Sequence, residues 1–390
     1  MPPISTRPRR IRVAHCLETV GSGGVEQTRL TLARLLPSDR YEQLVICTKA
    51  IGVLPQQLRD AGCPVVEVGV LRYPLDPRSH WRAFRALRRF GADIAHGAVV
   101  EGISLAAIGG RLARVPVILA EETSDPDNQR RGRMGTALYR ALIALGDRSL
   151  AVSPATGAYL LQTLGLPASR VSTVLNGVVE SSPSPPRAVA AIRASMNMAP
   201  SGLVIGCVGR LFDSHKKFSD AIRALPHIRA GGIDASLLLV GEGPDGAMLE
   251  ALARELGVAP HVTFAGYQGD TRPYFEAMDI MVHPAATEAF GLVLVEAMFA
   301  RLPVIATRVG GIPTVVEEGA TAILVEPARP EQLSAAVLAL ARDPELCTSM
   351  GELGYARAKA LFGAERYAAD IDALYTELLK KKGVRASHRP

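Results

Sequence analysis

Cysteine is scarce in this chain. There are five in 390 residues (Cys16, Cys47, Cys63, Cys207, Cys347), an odd number, scattered and without a C-x-x-C pair. That usage excludes a disulfide framework and the common zinc motifs, and it fits reduced thiols in a cytoplasmic protein. Aromatic residues are also few, 5% of the chain with one tryptophan. With so few aromatics and no DNA- or RNA-binding motif, the net charge of +6 does not point to nucleic acid, which is excluded as a partner. No run of about 18 uninterrupted apolar residues occurs, so no membrane-spanning helix is expected. Arg7, Arg9 and Arg10 are followed by Ile11-Arg12-Val13-Ala14-His15, which is no hydrophobic signal core.

What is present describes a globular protein. Hydrophobic residues make up 48% and charged residues 21%, and 390 residues are too many for one ordinary core, so two domains are expected. Charge is uneven between the halves. Residues 1–190 hold 24 Lys+Arg against 15 Asp+Glu, a net of +9, and residues 191–390 hold 20 against 23, a net of −3. The excess concentrates in two places. Arg78, Arg82, Arg85 and Arg89 fall on one helical face near Trp81, Phe84 and Leu87. Arg130-Arg131-Gly132-Arg133 precedes an apolar segment. A basic amphipathic helix suits an anionic membrane surface; the same pattern also suits a helix packed on a sheet with solvated arginines.

Short apolar runs alternate with helical patterns. Strands are expected at 11–16, 44–47, 64–68, 94–96, 116–120, 149–153 and 171–175, then at 203–208, 236–240, 262–264, 280–282, 304–306 and 322–325. Runs this apolar are buried on both faces, which predicts parallel sheets flanked by helices. Ser181 to Pro186 is the candidate linker.

Chemistry concentrates in Glu288-Ala289-Phe290-Gly291-Leu292, with seven residues between Glu288 and Glu296. A glycine just before a helix lets backbone N–H groups approach a phosphate or sugar oxygen, and two carboxylates can accept from sugar hydroxyls. The pattern would suit a receptor for a nucleotide sugar, though its spacing alone fits a plainer reading better. The plain alternative is two solvated helix charges.

Read from Val208 to Val325, the chain resembles the C-terminal half of the family 4 retaining glycosyltransferases, glycosyl transferases group 1. The motifs that carry the resemblance are Gly209-Arg210-Leu211 with Lys216, Val240-Gly241-Glu242-Gly243-Pro244, Val262 to Gly266, the E-x7-E element, and Pro303 to Thr307 through Gly310-Gly311. The resemblance extends more weakly over almost the whole chain. It implies an α/β chain of the GT-B fold, two Rossmann-like domains facing across a cleft. The N-terminal acceptor-side domain would span 1–186 and the C-terminal donor-binding domain 187–364, with a last helix, 365–382, packing back on the first.

Carried over by position, the resemblance implies catalytic roles for Glu288 at the donor sugar and for Arg210 and Lys216 at the diphosphate. Gly209 and Lys217 would assist, Lys217 as the alternative to Lys216. Phe290, Gly291 and Leu292 would offer backbone N–H groups, Glu296 would hold the ribose, and Tyr267 and Gln268 would lie near the base. Gly23 and Gly24 would approach the diphosphate from the first domain. His96, Glu101, Glu122 and Asn176 are acceptor-side candidates, with Asp125 a further one. Ala98 replaces the histidine that many members carry near the donor sugar, which weakens a catalytic role for His96 and favours a structural one. Ala289 and Ala322 stand where glycine is common, and Ala247 where a basic residue is.

No metal and no cofactor beyond a UDP- or GDP-sugar is expected: the cations and backbone donors replace a metal's charge, and no D-x-D motif, of the kind that holds a metal on the diphosphate, is expected in the chain. The expected reaction is transfer of a hexose-type sugar, with retention, to a glycan or lipid-linked acceptor in cell-surface polysaccharide or glycolipid synthesis. The protein would be cytoplasmic, peripheral on the inner face of the membrane. The alternatives are a catalytically degenerate nucleotide-sugar-binding subunit, or a phosphorylase or epimerase of the same fold.

Overall fold

Runs of apolar residues with no polar alternation become parallel strands covered on both faces, and the chain folds around two such sheets. A computed structural model describes residues 9–73, 75–124, 132–196, 199 and 201–384. The chain divides into two compact units, one of residues 1–177 and 364–390, the other of residues 178–363.

The first unit holds β1 (Ile11–Val20), β2 (Tyr41–Ala50), β3 (Val65–Glu67), β4 (Ile94–Ala98), β5 (Val117–Glu122), β6 (Arg148–Ala151) and β7 (Val171–Thr173). Their order across the sheet is β3-β2-β1-β4-β5-β6-β7, and the paired neighbours run parallel. The second unit holds β8 (Leu203–Val208), β9 (Ala235–Val240), β10 (Val262–Phe264), β11 (Ile280–His283), β12 (Val304–Thr307) and β13 (Ala322–Val325). Their order is β10-β9-β8-β11-β12-β13, again parallel. In both sheets the winding reverses beside the first strand, between β1 and β4 and between β8 and β11. Open α/β sheets place ligands beyond the carboxyl ends of the strands at such a reversal.

The boundary lies at Gly177, not at Pro186. Val178 pairs with Gly363, and the Ser184 N–H donates to the Glu276 carboxylate at 3.0 Å, so the proline-rich segment is fastened to the second unit. The last helix, Ala364–Lys381, packs on the first unit through Tyr367, Ile371, Leu374, Tyr375 and Leu378. Polar contacts reinforce it. Arg366 donates to the carbonyls of Leu175 and Asn176, Arg40 pairs with Asp372 at 2.8 Å, and Lys382 pairs with Asp147 at 2.7 Å.

Beneath that helix lies a buried polar network. Arg29 forms an ion pair with Glu121, His96 Nε2 lies 2.8 Å from a Glu121 oxygen, and His96 Nδ1 lies 2.7 Å from the Tyr375 hydroxyl. Burial favours a neutral carboxyl on Glu121, but Arg29 first and then His96 reverse this and bring its pKa down to about 2. Burial, aided by Arg29, brings His96 down to about 4, so this imidazole is neutral.

Among the described residues no helix is long and apolar enough to cross a membrane. The basic helix runs Pro77–Phe90, capped by the Asp76 side chain, which accepts from the Arg78 N–H. Ser79, His80, Ala83 and Leu87 face inward, which leaves Arg78, Arg82, Arg85, Arg88, Arg89 and Trp81 exposed.

Candidate functional site

The second unit gathers its charged groups where β8 and β11 end. Leaving β8, Gly209 takes φ +149°, and the following segment runs against the turn after β9: Gly209 N–H donates to Val240 O and Leu211 N–H to Glu242 O. The approach is close enough to require glycine. A Cβ on Gly241 would stand 2.0 Å from the Gly209 carbonyl oxygen, and one on Gly243 would stand 2.3 Å from that of Leu211. The G-x-G-P turn is thus the bed on which Gly209-Arg210-Leu211 lies. Arg210 is exposed, and no hydrogen bond or ion pair holds its guanidinium among the described residues.

A single helical turn, Asp213–Lys216, follows, and Lys217 in the left-handed region (φ +51°) breaks it from helix Phe218–Ala230. Asp213 fixes the start of that helix by accepting from the N–H and hydroxyl of Ser219. Lys216 is thereby aimed across the sheet reversal, and its Nζ lies 2.6 Å from Glu288 Oε2. Lys217 makes no ion pair among the described residues.

From the other side, β11 ends at His283, fully buried, with Nε2 3.0 Å from the same Glu288 oxygen. The backbone of Glu288 is held by Gly311, whose N–H donates to Glu288 O at 2.8 Å; a Cβ there would stand 2.1 Å from Ala289 O. Phe290 buries its ring edge-on against Phe362, 5.7 Å between centroids. Gly291 (φ +98°) then starts helix Leu292–Phe299. Burial alone would raise the Glu288 pKa; the Lys216 charge and the His283 hydrogen bond outweigh it and hold the carboxyl well below its ordinary range. His283 is shifted down by burial, with the Lys216 charge acting in the same direction, and stays neutral. The resulting cluster sets a cation and a neutral imidazole within hydrogen-bonding distance of one carboxylate oxygen, groups whose chemistry allows them to attract anions and to accept from hydroxyls.

Glu296 lies on helix Leu292–Phe299, half-buried, and its carboxyl makes no hydrogen bond or ion pair among the described residues. Burial brings its pKa up to about 7. Tyr267 is exposed after β10, and Gln268 turns back to donate to Ala265 O at 2.7 Å.

In the first unit, Gly23 and Gly24 start helix Gly24–Leu35 beyond β1; Glu26 folds back beneath them and is shifted up by burial. His96 and Glu122 are not open to an acceptor. The first is enclosed in the network under the last helix, and the second is buried, accepting from Tyr139 O–H and Ser124 N–H. Asn176 is also buried. Glu101 is half-buried in the first turn of helix Val99–Ser104. Asp125, Arg130 and Arg131 lie outside the described residues.

Two features escape sequence reasoning. His283 is one, signalled only by a polar residue ending an apolar strand. Val99 is the other, a β-branched residue at φ +60° directly after β4, for which the sequence holds no signal. The expectation about D-x-D needs correction as well, since the spacing occurs twice. Asp125-Pro126-Asp127 lies outside the described residues. Asp370-Ile371-Asp372 sits on the last helix, where Arg366 pairs with Asp370 and Arg40 and Tyr41 hold Asp372.

Residues 22–181 match the family model described as Glycosyltransferase Family 4, and residues 202–343 match that of Glycosyl transferases group 1. The chain belongs to the family 4 glycosyltransferases. Among curated relatives, N-acetyl-alpha-D-glucosaminyl L-malate synthase of Bacillus anthracis is 33% identical over 169 residues, 43% of this chain and 44% of that one. D-inositol 3-phosphate glycosyltransferase of Segniliparus rotundus is 31% identical over 253 residues, 61% of this chain and 54% of that one. The chain thus spans about half the length of the curated relatives it matches. Among solved structures, HepE of Anabaena in complex with UDP-glucose superposes with a TM-score of 0.84 at 21% identity, covering 94% of this chain and all of that one. Sucrose-phosphate synthase from Thermosynechococcus elongatus superposes with a TM-score of 0.79 at 24% identity, covering 95% and 100%. At these identities the likeness establishes the fold, which is GT-B.

Proposed function

We propose that this family 4 glycosyltransferase moves a hexose-type sugar from a UDP- or GDP-sugar to a glycan or lipid-linked acceptor, with retention of configuration and without a metal. The observation that carries the reading is the Lys216–Glu288–His283 cluster at the β8/β11 reversal, with exposed Arg210 on the adjoining segment. Arg210 and Lys216, or Lys217 in its place, neutralise the charge that grows on the diphosphate as the anomeric carbon–oxygen bond breaks. Glu288 accepts from hydroxyls of the sugar. Glu296 takes the ribose, Phe290, Gly291 and Leu292 offer N–H groups to the sugar and phosphates, and Tyr267 and Gln268 flank the base. The acceptor oxygen bonds to the anomeric carbon on the face the phosphate leaves, and its proton passes to the departing phosphate oxygen. The relative solved with UDP-glucose supports a nucleotide-sugar donor.

The protein works in the cytoplasm against an anionic membrane surface that presents its acceptor. What supports this is the outer face of helix Pro77–Phe90 and the segment before it. Val70 (66% exposed), Tyr73 (54%), Leu75 (47%) and Trp81 (57%) stand out among Arg72, Arg78, Arg82 and Arg85. Co-sedimentation with anionic vesicles at low salt tests it, and no binding there would point to a soluble acceptor. For the reaction itself, Glu288→Gln should abolish sugar transfer while sparing nucleotide binding. Unchanged transfer would overturn the assignment.

A further inference from the structure

One oxygen, Glu288 Oε2, carries two different donors. Lys216 reaches it with a flexible ammonium at 2.6 Å, and His283 with a ring nitrogen at 3.0 Å. The two donors differ in their freedom to leave. Lys216 sits on a one-turn helix at the edge of a loop, on a stem of four carbons, and a diphosphate is a stronger attractor than a single carboxylate. His283 is fully buried at the end of β11, a strand flanked by β8 and β12 in which His283 itself pairs with Ala306, and cannot follow a ligand. Its tautomer follows from geometry. Nε2 faces a carboxylate oxygen and must carry the hydrogen, and Nδ1 is buried with no hydrogen-bond partner among the described residues, which suits a bare lone pair.

We infer that His283 is a positioning residue for Glu288: a fixed N–H donor that helps to keep this carboxylate in place when Lys216 exchanges it for the phosphates of the donor. The inference rests on the nucleotide-sugar reading above. In the empty protein, Lys216 and Glu288 neutralise each other. When a nucleoside diphosphate draws the ammonium away, the carboxylate loses its nearest positive charge at the moment it must meet sugar hydroxyls. His283 spans that exchange without contributing charge. It therefore affects the geometry of the reacting complex more than the affinity for nucleotide.

The test compares His283→Ala and His283→Gln with the parent protein, using UDP-glucose and GDP-mannose as probes. Release of UDP or GDP gives kcat and KM, and calorimetry gives UDP and GDP affinity. His283→Ala should lower kcat on the order of 100-fold through a misplaced carboxylate, with nucleotide affinity nearly unchanged. His283→Gln places an amide N–H near the position of Nε2 and should recover most of that loss. Undiminished kcat in the alanine variant would overturn the inference. So would equal losses in both variants that follow their melting temperatures, the mark of a merely structural histidine.

Should the variants fail to fold, or release be too slow to follow, nitrogen-15 spectra of the parent protein decide. A neutral Nε2–H imidazole at His283 is expected before and after UDP is added, and an Nδ1–H tautomer or an imidazolium overturns the inference. Parent protein that binds neither UDP nor GDP would sink the nucleotide-sugar reading and this inference together. Binding with an unaffected alanine variant would sink this inference alone.

Discussion

Replacing Arg29 with Met should destabilise the first unit more than any surface change. Arg29 is wholly buried; its charge keeps Glu121 ionised against burial and adds to the burial that keeps His96 neutral beneath the last helix. Removing one partner of a buried ion pair costs about 3–5 kcal/mol, because the other charge is left without compensation. For a unit of this size each kcal/mol moves the melting temperature by about 2–4 °C, so a fall of roughly 6–20 °C is expected.

The pH dependence adds a second signature. In the parent, His96 titrates at about 4 instead of 6.5, so stability is lost as pH falls from 6.5 toward 4; Glu121 titrates at about 2 instead of 4.5, so its contribution is present above 4.5 and lost below. Without Arg29, the adjoining Glu121 and His96 take up a proton more readily, and the deficit of the variant should be smaller at pH 5.5 than at pH 8. Trp81, the one tryptophan of the chain, lies in this unit, and its fluorescence reports the transition. The double variant Arg29→Met, Glu121→Leu should recover most of the loss. A deficit below about 1 kcal/mol, or one identical at both pH values, would refute the account of this network.

Two further outcomes concern the second unit. Gly241→Ala should cost at least about 3 kcal/mol in thermal unfolding followed by calorimetry, since its φ of +134° and the Gly209 oxygen 2.0 Å from the new Cβ both oppose a side chain; a melting temperature within 2 °C or so of the parent would contradict the close approach. Glu296→Gln should stabilise the unit at high pH. A carboxyl whose pKa is raised to about 7 loses stability as pH rises from 4.5 through 7, so at pH 8.5 the glutamine variant should gain about 1–2 kcal/mol after allowing for partial exposure, and nothing near pH 4.5. The same substitution should weaken UDP or GDP binding, and tighter binding would remove Glu296 from the nucleotide site.

Much of the architecture was legible because strands buried on both faces are written as continuous apolar runs. The thirteen strands among the described residues occur where such runs stand, and the differences are at their ends: β1 continues through Glu18 and Thr19, and β2 through Gln43 and Lys49, where polar residues still pair within the sheet. The domain boundary was not legible, because Ser181 to Pro186 looks like a linker while hydrogen bonds from Val178 and Ser184 attach it to the second unit.

In the site, Lys216 and Glu288 stand out as members of motifs, and the structure brings them together. His283 carries no motif. Its meaning arises only when parallel pairing sets the ends of β8 and β11 side by side, which no local pattern encodes. His96 and Glu122 lie on or beside motif-like segments, but β4 and β5 are buried along their whole length, so both side chains are enclosed; for His96 this is the structural role favoured by the alanine at position 98.

The central claim is that the cluster at the β8/β11 reversal receives a nucleoside diphosphate sugar. Thermal unfolding in the presence of UDP, GDP, ADP and their sugar conjugates, without metal, tests it directly. A ligand at 100 times its dissociation constant adds about 2.7 kcal/mol, so a selective rise in melting temperature with one diphosphate, lost in Lys216→Met, is predicted. A folded protein that responds to none of them, or equally with and without Lys216, would contradict the account.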